Sequence, residues 1–102
     1  MLTQGIKSIA GGFSGIDETN IIADNSGAVK EYAAAEDCYC TFKTSWTNSV
    51  ARKINGVAIE TYIAQNGREL DAWLLKGQTL TLAESNGTQA NMNNLKVFGL
   101  KQ

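Results

Sequence analysis

The sequence predicts an all-β chain folded as a single antiparallel β-sandwich with an extended N-terminal arm, and three observations carry that expectation. Apolar and polar residues alternate with period two in "DCYCTFKTSW", "VAIETYIA" and "QTLTLAE", the pattern of a strand with one buried face. Asn-Gly recurs at Asn55-Gly56, Asn66-Gly67 and Asn86-Gly87, and a two-residue type I′ hairpin turn favours this pair because both central residues need positive φ. About six short strands fall between residues 37 and 101 at intervals of roughly 8–12 residues, the spacing of sandwiches and barrels.

The elements follow in chain order. In "MLTQGIKSIAGGFSGIDE" the apolar residues Leu2, Ile6, Ile9, Phe13 and Ile16 recur at heptad spacing. Gly5, Gly11, Gly12 and Gly15 interrupt them, each costing about 1 kcal/mol relative to Ala in a helix. Residues 1–18 therefore read as an extended or irregular arm, and residues 19–102 as the sandwich. The arm docks on its own domain, on a neighbouring subunit or scaffold, or on a membrane surface. Lys7 as its only cation argues against the last, since interfacial helices carry a basic face. "NIIADNSG" reads as a short strand and turn. "AVKEYAAAED" is ambiguous, because Val29, Tyr32, Ala33 and Glu36 stand at helical spacing and Ala favours helix.

From Asp37 onward the strands are clearer. Cys38, Cys40, Phe42 and Trp46 share one parity, and Tyr39, Thr41, Lys43 and Ser45 the other. "VARKI" leads into the Asn55-Gly56 turn. "VAIETYIA" then puts Val57, Ile59, Thr61 and Ile63 on one face. "LDAWLL" is a mostly apolar run, and "QTLTLAE" directs Leu80 and Leu82 inward. "SNGTQANMNN" reads as a polar loop. "LKVFGL" closes the chain, with Leu95 and Val97 on one face and Phe98 and Leu100 on the other.

Composition narrows the chemistry. The chain has 102 residues, a net charge of −1 and no His, so the commonest general base at neutral pH is missing. Nine Lys and Arg are dispersed among ten acids, without the basic stripe that nucleic-acid binding needs. No apolar run approaches the ~20 residues that span a bilayer. Cys38 and Cys40, at i and i+2 on a strand, point the same way and are held apart, which disfavours a mutual disulfide. Two thiols without His fall short of the four ligands of structural zinc, so no metal or other cofactor is expected. Ser residues lack the S-x-x-K pattern, and "AGGFSG" lacks the Lys-Ser/Thr of a phosphate loop. The pairs Asp17/Glu18, Glu36/Asp37 and Glu69/Asp71 read as solvated surface, so the chain is expected not to be an enzyme. Trp46 and Trp73 read first as core anchors. Exposed aromatics stacking on sugars, or anchoring a subunit interface, are the other readings of Trp46, Trp73 and Tyr62.

The C-terminal half, "INGVAIETYIAQNGRELDAWLLKGQTLTLAESNGTQANMNNLKVFGLK", resembles small accessory structural proteins of tailed bacteriophages, namely capsid decoration (cement) proteins and the base domains of head fibres. The shared pattern is the "KGQTLTL" strand after a Lys-Gly turn, an Asn-rich loop and the terminal "LKVFGLK". The resemblance implies a jelly-roll-like sandwich, frequently trimeric, bound to the outer capsid. On that expectation the chain is a non-enzymatic virion protein, made in the host cytoplasm, whose partner is the major capsid protein or another virion protein. It would reach that partner through Leu2, Ile6, Ile9, Phe13 and Ile16 and through contacts within a homotrimer, without nucleic acid or membrane. The alternative expectation is a carbohydrate- or receptor-binding β-sandwich module.

Overall fold

A computed structural model describes residues 15–44, 49–60 and 69–101. Among them nine strands form and no helix does. The strands are β1 (Gly15–Val29), β2 (Glu31–Ala33), β3 (Cys38–Lys43), β4 (Val50–Ile54), β5 (Val57–Ala58), β6 (Glu69–Leu74), β7 (Thr79–Glu84), β8 (Gln89–Ala90) and β9 (Met92–Lys101). They build two antiparallel sheets, one ordered β1-β9-β3-β6 and the other β2-β7-β4-β5, with β8 also paired to β7. The two pack face to face as the β-sandwich that the alternation predicts.

The core follows from strand parity. Cys38, Cys40 and Phe42 of β3, Leu70, Ala72 and Leu74 of β6, and Leu95 and Val97 of β9 form the inner face of the four-stranded sheet. They meet Val50 of β4 and Leu80 and Leu82 of β7 from the other sheet. Phe42, Leu74, Leu80 and Leu82 are fully buried, and burial of such a side chain contributes about 1.5–3 kcal/mol. Both cysteines are free and buried. The neighbouring Cys38 thiol and the loss of water push the Cys40 thiol strongly up, so it stays protonated.

The turns use the chemistry their residues supply. Asn55 and Gly56 have φ of 53° and 80°, the left-handed pair of a type I′ turn between β4 and β5. Asn55 also anchors this hairpin to β7, donating its N–H to the Thr79 carbonyl at 2.8 Å and accepting the Thr79 N–H on its side chain at 2.9 Å. At Glu84–Gly87 the Gly87 N–H returns to the Glu84 carbonyl at 2.8 Å, with only Gly87 left-handed, at φ 91°. The Asn66-Gly67 turn lies outside the described residues, as do Trp46 and Tyr62.

Several expectations change. Residues 28–37 form no helix, since β2 runs through them and Tyr32 pairs with Leu80; joining an existing sheet outweighs the weak propensity of alanine. "NIIADNSG" is the middle of one 15-residue strand, β1. Register shifts between Asp17 and Ile21, Ile21 and Ala23, and Asn25 and Ala28 break its alternation. β1 also takes in the last four residues of the segment read as an arm. Ile16 pairs there with Leu100, while Leu2, Ile6, Ile9 and Phe13 lie outside the described residues. "VAIETYIA" gives only the two-residue β5, and its Val57, on a sheet edge, is 67% exposed; residues 61–64 of that stretch lie outside the described ones. The "polar loop" contains β8 and the start of β9, and its Met92 is fully buried.

Candidate functional site

The outer face of the four-stranded sheet carries an in-register row of large side chains. Tyr39 of β3 stands opposite Trp73 of β6 on one side and Phe98 of β9 on the other, and Phe98 stands opposite Ile21 of β1. The row thus crosses all four strands. Trp73, Tyr39 and Phe98 are half-buried, and Ile21 is 50% exposed. The Tyr39 and Trp73 rings lie with centroids 4.6 Å apart and planes tilted by 50°, a favourable aromatic geometry. This corrects the reading of Trp73 as a core anchor. On β6 the inner parity belongs to Leu70, Ala72 and Leu74, which leaves Trp73 on the opposite face. The bulge in β1 keeps the row intact by turning both Ile22 and Ala23 toward the core, so that Ile21 and Asp24 stay outside.

A polar row runs beside the aromatic one. Asp71, Thr41, Lys96 and Asp24 are register partners across the same strands, and Lys96 Nζ lies 3.9 Å from Asp24 Oδ2. Tyr39 ties the rows together by donating its hydroxyl to Asp71 Oδ2 at 2.8 Å. Burial first, and the Asp71 carboxylate second, raise the Tyr39 phenol far above its ordinary value, so it remains a donor. Tyr39, Thr41, Glu69, Leu70 and Asp71 line a shallow cavity of about 190 Å³ at the β6 end of this face.

Asp71 also joins the two sheets. Arg52 of β4 pairs with Leu82 on the inner side of its own sheet, and its guanidinium reaches across to β6. There Nη1 donates to the Asp71 backbone carbonyl at 2.5 Å and to Asp71 Oδ1 at 3.3 Å. Its Nε and backbone N–H both donate to Glu60 Oε2, at 2.7 and 2.9 Å, and Nη2 bonds Glu60 Oε1. Burial alone would raise the Glu60 carboxyl, but the side chain, backbone N–H and charge of Arg52 outweigh it and hold the group low. The bonds to Glu60 raise Arg52 in turn, against the effect of burial. A charge in this position needs all of these bonds, because a buried unpaired guanidinium is costly. Sequence reasoning missed the cluster. Arg52 lies in "VARKI" as one of several dispersed cations, and nothing local marks it as inward-facing.

Among the described residues, no group of three or more His, Cys, Asp or Glu is placed to hold a metal ion. No helix among them is long and apolar enough to cross a membrane. No protein-family model, curated protein or solved structure matches the chain.

Proposed function

We propose that the chain is a non-enzymatic structural protein of a tailed-bacteriophage virion, a capsid decoration or fibre-base protein that attaches to the outer capsid. The observation that supports this most is the Trp73–Tyr39–Phe98–Ile21 row. It is rigid, because paired strands hold every member, and its aromatic composition is that of protein interfaces. The terminal "LKVFGLK" pattern points to the same class. The apolar residues Leu2, Ile6, Ile9 and Phe13 supply an attachment segment ahead of β1. One such segment binds weakly, since ordering each residue costs about 1–2 kcal/mol. Several on one oligomer act together, and avidity makes the attachment firm.

Native mass spectrometry of the purified chain tests the oligomer, with a closed ring, a trimer above all, expected. Virions of the phage that encodes the chain should carry it in a copy number commensurate with the capsid lattice. Deleting residues 1–14 leaves β1 whole and should abolish attachment while leaving the thermal midpoint nearly unchanged. A monomer absent from purified particles would sink the proposal.

The second reading, a carbohydrate- or receptor-binding module, draws on the same face, because Trp73 and Tyr39 stand outward rather than in the core. Binding of the isolated monomer to a glycan array, lost on Trp73→Ala, would favour it over the structural role.

A further inference from the structure

We infer that the cavity at the β6 end of the outer face receives a basic side chain, best an arginine, from the protein partner that covers the aromatic row. This inference rests on reading that face as a protein contact. The cavity is lined by one aromatic residue, Tyr39, by the acidic Glu69 and Asp71, by Thr41 and by Leu70, whose side chain belongs to the core. Its volume of about 190 Å³ suits one long side chain rather than a drug-sized ligand, whose pockets run from about 300 Å³ upward.

The charges favour a cation. Glu60, Glu69 and Asp71 bring three negative charges to this edge of the sandwich. Arg52, bonded to Glu60 and Asp71, and Lys43, the register partner of Glu69, bring two positive ones, leaving one negative charge among the described residues of this edge. Asp71 is held by Arg52 on Oδ1 and by Tyr39 on Oδ2, so its position is fixed before anything binds. Each carboxylate oxygen still has a second lone pair to offer. Glu69 is exposed and free of the Arg52 cluster. A guanidinium is planar and presents several N–H donors in a fork. It can therefore lie against the Tyr39 ring as a cation–π partner while donating to one or both carboxylates. A phosphate or other anion would meet Glu69 and Asp71 as like charges. A neutral sugar would leave the charge uncompensated.

The test uses the full chain and small probes, so it does not depend on any virion. Backbone amide spectra are recorded while N-acetyl-arginine amide is added, with N-acetyl-glutamine amide and methyl glucoside as neutral controls. The arginine probe should shift the amides of Tyr39, Thr41, Glu69 and Asp71, and the neutral probes should not. Glu69→Gln, which leaves the Arg52 cluster intact, should weaken the response at least about threefold, the size of a partly exposed ion pair. Glu31→Gln, on the other sheet, should leave it unchanged. Raising the salt from about 0.05 M to about 0.5 M should weaken it further by screening. The inference is overturned if arginine leaves these amides unmoved, if a neutral probe shifts them equally, or if Glu69→Gln has no effect. Failure to find the chain on virions, with the arginine response intact, would overturn the virion assignment and leave the cavity's chemistry standing.

Discussion

On the outside of the four-stranded sheet the cross-strand row reads Trp73, Tyr39, Phe98, Ile21. On the outside of the five-stranded sheet the matching rows read Glu31, Thr81, Lys53 and, next to it, Gln89, Ala83, Ala51. Both sheets direct aliphatic side chains inward, Leu70, Leu74 and Val97 from one and Val50, Leu80 and Leu82 from the other. Folding draws on those inner rows in either sheet. Among the described residues the difference lies on the outer faces, where only the four-stranded sheet sets an aromatic row beside its polar one. The proposed partner contact draws on this contrast, because the aromatic row is the feature that the other sheet's outer rows lack.

Substitutions can break this contrast or sharpen it. The largest effect belongs to the inner face. Phe42→Ala removes a ring that is 1% exposed and should cost about 3–5 kcal/mol, read from the shift in urea midpoint. Next comes the bond between the sheets. Arg52→Ala leaves Glu60, whose side chain is 8% exposed, without its cation, and should cost about 2–4 kcal/mol. Arg52→Met combined with Glu60→Gln should recover much of that loss in the same denaturation experiment. A double variant as unstable as the single one would show that the cluster matters through packing rather than through charge.

Acid probes the same cluster more gently. Glu60 is held below its ordinary value of 4.5 in the folded chain. Its contribution is therefore complete above that value and fades as pH falls through the lower, folded one. Thermal midpoints of the parent should drop across this acidic window more than those of the Arg52→Met, Glu60→Gln variant. Equal drops would place the acid sensitivity elsewhere.

The smallest stability effect is expected on the outer face. Phe98→Ser should cost about 1 kcal/mol, the scale of one cross-strand pair, while abolishing the oligomer or particle attachment read by native mass spectrometry. If it unfolds the chain as Phe42→Ala does, the two faces are not distinct, and the aromatic row belongs to the core.

What the sequence disclosed depended on whether a segment kept one period. Cys38, Cys40 and Phe42 alternate cleanly with Tyr39, Thr41 and Lys43, and their burial follows that pattern. Leu80 and Leu82 do the same, and Asn55-Gly56 names its turn. In "ELDAWL" the bulk of Trp73 argues for the core, but it shares its parity with Glu69 and Asp71, while Leu70, Ala72 and Leu74 fill the buried one. In β1 the three register shifts scramble the period, which hid both the length of the strand and the place of Ile21 beside Phe98. The cavity joins residues of β3 and β6 that are about 30 positions apart, and the Arg52 cluster joins the two sheets. Neither leaves a local trace.

The order in which the chain visits the sheets has a consequence for how the protein is made. Among the described strands, β1, β3, β6 and β9 lie in one sheet and β2, β4, β5, β7 and β8 in the other, so the chain changes sheets at every connection except β4–β5 and β7–β8. The first strand lies against the last, Gly15 opposite Lys101. β1 and the β9 side of β3 therefore wait for a partner until β9 has left the ribosome. Such non-local pairing makes folding slow for the chain's size. A chain shortened by its last few residues would leave both strands unpaired, with their apolar sides and open edges free to find the wrong neighbour.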